Sequence, residues 1–398
     1  MFLLALSANI MFFIAGILQA ILLSALTYFH PKGDKSVNVY LSLYILFVSI
    51  LMLIPVVQQL FTWQAMLYLM PFPLLIGPFL YLYVRSFKEK ITWRKAWPHF
   101  LLFFIFLILD YTFLPSLADK YPASNQTPKE ILLNPASNIR IVIRIIRNVQ
   151  MIVYYFLAIR ELASYQKHIH HLFSEVSRIN LAWMRWVING YLFLIISLLI
   201  LFYFVLQFPD KFELLIVVNL AIITPYLYLI TFKGLTQPTL WQLKAGGQKG
   251  NMEKEILQAK QLEASNKEET KIQKKAPGNK LEEIVSRVRK AMDDEKLYLE
   301  AQLTLQNLAD KIEVPSYQLS QAINERMNMN FYDLVNSYRV EEAKRLLLDE
   351  KNKNLTILSV GFEAGFNSTT TFNTVFKKFT GLTPAEFKHN PKSALLST

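Results

Sequence analysis

Two hydrophobic patterns divide the chain. Up to about residue 232 it is a succession of long apolar runs with short polar breaks. Beyond about residue 280, apolar positions recur every three or four residues, the period of a helix with one buried face. The long runs lie near 3–28, 38–58, 66–86, 98–115, 139–160, 187–207 and 213–232. Each reaches or approaches the roughly 20 helical residues that cross a bilayer. The pattern therefore predicts seven transmembrane helices. The first run, IMFFIAGILQAILLSAL, reads as a span rather than a cleaved leader: it lacks a basic start, is too long, and more spans follow. In the C-terminal part, LEEIVSRVRKAM is amphipathic and LTLQNLADKI is a helix with Thr304 as its expected N-cap. Short helices separated by turns follow, without strand-length alternation. The expected fold is all-α: a seven-helix membrane bundle over 1–232, a linker over 233–280 and a helical domain over 281–398.

Charge sharpens this division. Hydrophobic residues make up 53% of the chain, and its formal net charge is +12. Basic and acidic residues number 17 and 9 in 1–232, 9 and 5 in 233–279, and 16 and 16 in 280–398. The C-terminal part is thus neutral, and the high overall charge is no argument for nucleic-acid binding. Short loops after the first, third and fifth runs carry Lys32 and Lys35, then Arg85, Lys88, Lys90, Arg94 and Lys95, then Arg160, Lys167, Arg178 and Arg185. The alternate loops carry little. The positive-inside rule then places the N-terminus outside and everything after Lys233 in the cytoplasm. The linker is rich in Lys, Glu and Gln, and as a flexible coil it would span about 40 Å. There is no cysteine, which removes disulfides, thiolate nucleophiles and cysteine-based zinc sites.

The C-terminal pattern contains two helix-turn-helix units in tandem. In the first, Leu305, Leu308, Ala309 and Ile312 face inward, EVP makes the turn, and SYQLSQAINER follows with Leu319, Ala322 and Ile323 inward. Its other face shows Tyr317, Gln318, Ser320, Gln321 and Asn324. The long helix FYDLVNSYRVEEAKRLLLDE connects to the second unit, LTILSVGFEAGF, with Thr356 as cap. Its partner helix, capped by Ser368, turns Phe372, Val375, Phe376 and Phe379 to one side and Thr369, Thr370, Asn373, Thr374 and Lys377 to the other. Such amides and hydroxyls suit adenine edges and thymine methyls in a major groove. Two such helices could meet successive grooves about 34 Å apart. Arg326, Lys344 or Arg345, Lys377, Lys378 and Lys388 are the candidates for gripping the DNA backbone.

These residues resemble the DNA-binding domain of the AraC/XylS transcription regulators, over about 296–390. The matching elements are LTLQNLADKI, YQLSQAINE, NFYDLVNSYRVEEAKRLLL and AGFNSTTTFNTVFKKFTGLTPAEF. The resemblance implies a bacterial regulator whose base-facing positions are Tyr317, Ser320, Gln321, Thr369, Thr370, Asn373 and Thr374. The sequence departs from the family pattern at Glu313, where a turn glycine is usual, at Pro315, where a serine cap is usual, and at Asn328 and Gly361. Lys388 stands where the family has arginine. Neither recognition helix has an arginine in its base-facing half, which favours A/T contacts over bidentate guanine readout. The N-terminal part is similar to the multi-span halves of membrane-tethered regulators with this domain.

Other candidates are weighed against simpler readings. Arg140, Arg144 and Arg147 share one face of the fifth run. With Asp110 as counter-charge they could form a ligand-sensing, anion-accepting pocket near the outer leaflet; alternatively Arg140 snorkels and the others pair for structure. The segment KHIHHLF (His168, His170, His171) has metal-ligating side chains but no matching carboxylates, and a solvated amphipathic helix is its simpler reading. No phosphate loop, nucleophile elbow or HExxH occurs, so neither enzymatic activity nor a cofactor is expected. The expected partners are double-stranded DNA, the lipid bilayer and an unidentified small-molecule or anionic ligand, with a homodimer as candidate assembly. The expected location is the bacterial inner membrane, multi-pass, with a cytoplasmic C-terminal domain. The alternative is a receptor or transporter-like protein whose C-terminal domain binds a protein partner instead of DNA.

Overall fold

The structure is a computed structural model, describing residues 8–31, 34–60, 69–120, 135–177, 179–208, 211–236 and 278–389. The chain divides into two compact units. One comprises Met1–Tyr165 and Leu181–Trp241; the other comprises Gln166–Asn180 and Gln242–Thr398. Among the described residues there is no strand, only one antiparallel bridge between Phe173 and Thr304. The all-α expectation holds. Most of the expected linker lies outside the described residues.

In the first unit every expected apolar run overlaps a helix. These are α1 (Ala8–Tyr28), α2 (Lys35–Leu60), α3 (Ile76–Ser86), α4 (Trp93–Ala96), α5 (Leu101–Lys120), α6 (Pro135–Leu172), α7 (Met184–Gln207) and α8 (Phe212–Thr236). Three described stretches are long and apolar enough for a full bilayer crossing: Trp93–Thr112, Met184–Phe204 and Val217–Leu235. Ile14–Tyr28, Lys35–Leu51 and Phe72–Ser86 are apolar but shorter. The expected count of seven therefore rests on the sequence. Helix α6 differs most from expectation, because it continues well past the apolar run to Leu172.

The unit has several polar residues inside and many apolar ones outside. Ser24, Thr27, Asn38, Ser42, Ser49, Asp110, Gln150 and Asn219 are buried. Leu18, Leu22, Phe104, Ile108, Val149, Phe156, Ile200 and Leu229 are exposed. The buried groups bond between helices. Ser24 Oγ lies 2.9 Å from Ser42 Oγ, Asn38 donates to the Thr27 carbonyl at 3.1 Å, and Gln150 donates to the Leu74 carbonyl at 2.9 Å. Tyr44 and Tyr226 join hydroxyls at 2.6 Å, and Tyr226 donates to the Val187 carbonyl.

The second unit contains α9 (Gly278–Asp293), α10 (Leu305–Lys311), α11 (Ser316–Arg326), α12 (Phe331–Leu348), α13 (Ile357–Glu363), α14 (Thr369–Thr380) and α15 (Pro384–His389). Side-chain oxygens close the starts of five of them, with Thr383 accepting from the Glu386 N–H at the start of α15. Thr304 caps α10, Asn330 caps α12, Thr356 caps α13 and Ser368 caps α14, each accepting the backbone N–H three residues on. This satisfies donors that a helix N-terminus leaves without partners. The core joins Leu281, Ile284, Val288 and Met292 of α9 to Leu305, Leu308, Leu319, Ile323, Phe331 and Val335. A second core forms around Phe366, Phe372, Phe376 and Phe387, whose rings meet at centroid distances of 5.1, 5.6 and 5.4 Å.

Candidate nucleic-acid interface

Helices α10 and α11 form the first helix-turn-helix unit, and α13 and α14 form the second. Both turns depend on backbone conformations that L-residues rarely adopt. Glu313 has φ +56° and Asn328 +53°, so the two departures from the family's glycines still take the left-handed conformation. Gly365 has φ +90°, and a Cβ there would lie 2.6 Å from the Tyr298 carbonyl oxygen. Gly361 has another function. Its missing Cβ makes room for the Phe372 ring, which a methyl would meet at 2.7 Å. Alanine would not fit there without movement, because Phe372 anchors α14 to the second core.

On α14, Thr369, Thr370, Asn373 and Thr374 form one exposed polar face, with Lys377 and Lys378 a turn further on. Phe372, Val375 and Phe376 are buried opposite, whereas Phe379 is 37% exposed at the edge. The first recognition helix is arranged differently. Tyr317 is exposed, and its hydroxyl accepts from Gln318 Nε2 at 2.8 Å. Gln318 is only 8% exposed and does not stand on the open face; its Oε1 is buried without a hydrogen-bond partner. Ser320 and Gln321 are partly exposed. Ser320 accepts from Asn324 at 3.4 Å, and Gln321 donates to Glu325 at 3.1 Å.

Most candidate backbone-gripping cations already have partners. Arg326 pairs with Glu282 at 3.4 Å, Lys344 with Glu341 at 2.9 Å, Arg345 with Glu342 at 2.6 Å and Lys378 with Asp333 at 2.6 Å. Lys388 donates to the carbonyls of Lys353 and Leu355, closing the start of the second unit onto α15. Lys377 is exposed on the same helix as the base-facing set. Exposed ion pairs contribute about 0–1 kcal/mol, so a phosphate could displace most of these at little cost.

In the other unit, Asp110 is fully buried and pairs with Arg147. Arg147 also lies over the Phe106 ring. Asp110 Oδ1 and Arg147 Nε have no hydrogen-bond partner. The side chains of Arg140 and Arg144 lie outside the described residues. No group of three metal-ligating side chains comes together among the described residues, and His170 packs against Tyr332.

Two buried polar residues went unnoticed in the sequence reading. Asn336 and Arg339, on α12, are both fully buried. The signal was present: Val335, Arg339 and Ala343 are spaced i, i+4, i+8, which sets an arginine within the inward stripe of a core helix. All five guanidinium N–H groups of Arg339 have acceptors, none of them a carboxylate. Nε donates to the Tyr298 carbonyl at 2.7 Å and Nη2 to the Glu300 carbonyl at 2.8 Å. Nη1 reaches Asn336 Oδ1 and the Ser174 carbonyl, and Nη2 reaches Ser174 Oγ at 3.2 Å. Burial pushes the Arg339 pKa down to about 10, against the pull of Glu175 and Tyr332.

Comparison with known proteins agrees with this geometry. Residues 308–390 match the model of a helix-turn-helix domain. The chain is 28% identical over 102 residues to an uncharacterized HTH-type transcriptional regulator of Staphylococcus aureus (strain COL), covering 26% of this chain and 13% of that protein. It is 35% identical over 71 residues to the uncharacterized HTH-type transcriptional regulator in the cgkA 5′ region of Pseudoalteromonas carrageenovora, covering 18% of this chain and 37% of that protein. The chain thus spans about an eighth and about a third of the lengths of these two relatives. No solved structure matches it at a significant level. The C-terminal region of this all-α chain carries a helix-turn-helix domain.

Proposed function

We propose that the chain is a membrane-tethered transcription regulator. Its multi-span half responds to a signal, and its two helix-turn-helix units bind promoter DNA sequence-specifically. The observation that carries the DNA-binding half is the exposed Thr369–Thr370–Asn373–Thr374 face on a helix fixed by a phenylalanine core. Direct readout rests on these four residues of α14 and on Tyr317, Ser320 and Gln321 of α11. Lys377, Lys378, Arg326 and Lys344 supply backbone contacts, with the surface carboxylates as exchangeable counter-charges.

The membrane half is supported by the polar-inside, apolar-outside arrangement of the first unit. That arrangement suits lipid as solvent, where buried polar groups must bond within the protein. The Arg147–Asp110 pair fits the same reading, because ionisable groups at membrane depth face the interior of a bundle and pair. Lys88 lies 2.9 Å from Ser164 and 3.8 Å from Glu161. This agrees with the loops after the third and fifth runs sharing the cytoplasmic side. In this reading seven spans place the N-terminus outside, and the ligand is a small molecule or anion.

Two measurements on the full-length protein test the proposal. The first is labelling with a membrane-impermeant maleimide, feasible because the chain has no cysteine of its own. Lys211→Cys should label from outside intact cells, and Lys95→Cys only after lysis; the reverse pattern refutes the orientation. The second is footprinting of the protein in nanodiscs. Gln321→Ala and Asn373→Ala should each weaken binding and relax preference at one base position by roughly 1–3 kcal/mol. An unchanged preference in both variants refutes direct readout by these residues.

A further inference from the structure

The segment Gln166–Asn180 belongs structurally to the helix-turn-helix unit, although in sequence it lies between two apolar helices of the other unit. It begins as the last turns of α6 and ends just before α7. Phe173, Val176 and Ile179 are buried, and Leu172 packs against the core of the first helix-turn-helix unit. Ser174 is the anchor. Its backbone N–H and its hydroxyl both donate to the Leu303 carbonyl, at 3.3 and 2.7 Å. Its carbonyl accepts from Asn336 and from Arg339, and its hydroxyl oxygen accepts from Arg339. One residue further on, Glu175 Oε1 accepts the Thr371 hydroxyl of α14 at 3.2 Å and the Ser177 N–H at 2.7 Å. The segment therefore joins three parts of the DNA-binding domain: the capped start of α10, the connecting helix α12 and the second recognition helix α14.

The chemistry of this joint suits release as well as closure. An apolar plug would hold the segment permanently. Here the apolar contacts of Leu172 and Phe173 are joined to a polar seat, built on a buried guanidinium that no carboxylate hydrogen-bonds and on a glutamate whose Oε2 is buried without a hydrogen-bond partner. Both groups cost desolvation when the joint is closed and regain water when it opens. The closed joint also sets a carboxylate beside the first turn of the helix that carries Thr369, Thr370 and Asn373. Negative charge there repels the phosphates that a recognition helix must approach.

We propose that the Gln166–Asn180 segment is an intramolecular latch. Seated on Ser174, it restrains the second recognition helix and lowers affinity for DNA, and a shift of the helices flanking it releases the restraint. The latch rests on the reading of the chain as a DNA-binding membrane protein. It moves the coupling step from the linker, where chain order alone would put it, to a loop between two apolar helices.

A disulfide lock tests this. Phe173 and Thr304 face each other across the antiparallel bridge. Facing residues of such a bridge have Cα atoms about 4.5–5.5 Å apart, within disulfide reach. The Phe173→Cys/Thr304→Cys variant, and Glu175→Cys/Thr371→Cys as a second pair bridged on oxidation through a small dithiol because only its side-chain tips meet, are prepared full-length in nanodiscs. The DNA probe is a random duplex pool about two helical turns long, enriched on the wild-type chain. The cross-link should form on oxidation. Reduction of the same sample should then tighten binding by about tenfold, within the range of coupling between sites. Each protein serves as its own reference, so the lost Thr304 cap affects both states equally. If neither pair cross-links, the segment is not seated in the membrane-embedded chain and the latch is wrong. If cross-links form but oxidised and reduced protein bind DNA equally, or the oxidised form binds more tightly, the latch is also wrong, while the DNA-binding reading stands. If wild type and both redox states bind no duplex even at low salt, that reading fails and the latch fails with it.

Discussion

Glu313 and Gly361 depart in opposite senses from the pattern that the C-terminal region resembles, and each departure has a physical consequence. At Glu313 the backbone is left-handed, φ +56°. An L-residue in that conformation is disfavoured by about 1–2 kcal/mol relative to glycine. Glu313→Gly should therefore stabilise the first helix-turn-helix unit by about 1 kcal/mol. At Gly361 the change runs the other way. A methyl would press on the Phe372 ring at 2.7 Å, in a core with little slack. Gly361→Ala should destabilise the second unit by about 1–3 kcal/mol, the usual range for overpacking. Hydrogen exchange of α10 and α14 amides in the full-length protein would report both. Equal protection in wild type and Gly361→Ala would mean that the ring yields freely and the glycine is incidental.

The helices of the C-terminal domain were legible because each level of the sequence agrees with the next. Thr304, Thr356 and Ser368 stand at the caps expected of them, and Leu308, Ala309, Leu319, Ala322 and Ile323 are all buried as their spacing implies. The exposed polar face of α14 was legible for the same reason. The first was less so. Gln318 belongs to the polar face by periodicity but packs under Tyr317, a tertiary choice that periodicity cannot register. The segment after the fifth apolar run was misjudged. KHIHHLF reads as a solvated amphipathic helix, yet Ile169 is buried and the His170 ring lies against Tyr332 at a centroid distance of 4.5 Å, tilted by 51°. Only a partner 160 residues away explains that burial. It also has a pH consequence. Burial pushes the His170 pKa below its ordinary value, reinforced by Lys378 and His171 and opposed by Asp333. The docked segment thus binds fewer protons than the free one. The contribution of His170 to docking is then fully present above about pH 6.5 and is lost as pH falls below it. Exchange of the Ser174 amide, taken relative to its intrinsic rate at each pH, should show an excess that grows from about pH 7.5 to about pH 5.5. His170→Phe, which keeps the ring stack, should abolish the excess. An excess that persists in that variant would assign the effect to another group.

Across the whole chain, the distribution of charge sets how the protein can meet DNA. A soluble regulator searches for its site by electrostatic attraction to the DNA backbone. Here the basic excess lies in residues 1–279, while 280–398 carries 16 basic and 16 acidic residues. Within the domain, Arg326, Lys344, Arg345 and Lys378 are neutralised by neighbouring carboxylates. Such a domain gains little from non-specific attraction and must rely on the hydrogen-bonding face of α14. In the proposed membrane-tethered reading, discrimination once a promoter is near matters more than a long-range search. Salt dependence measures this balance. With about four phosphate contacts, log affinity should fall with log salt at a slope near −3.6, roughly 150-fold between about 50 and about 200 mM. A strongly basic domain with about eight contacts would lose roughly four orders of magnitude over the same range. A steep slope would mean that the surface carboxylates swing away and expose their cations, or that the basic residues preceding 280 join the interface. Repeating the titration on Lys377→Ala separates these cases. If the interface is as sparse as the ion pairs imply, losing Lys377 should remove close to one contact and about 0.9 from the slope. In a broad basic interface the same loss would still leave a steep slope of about −6.3.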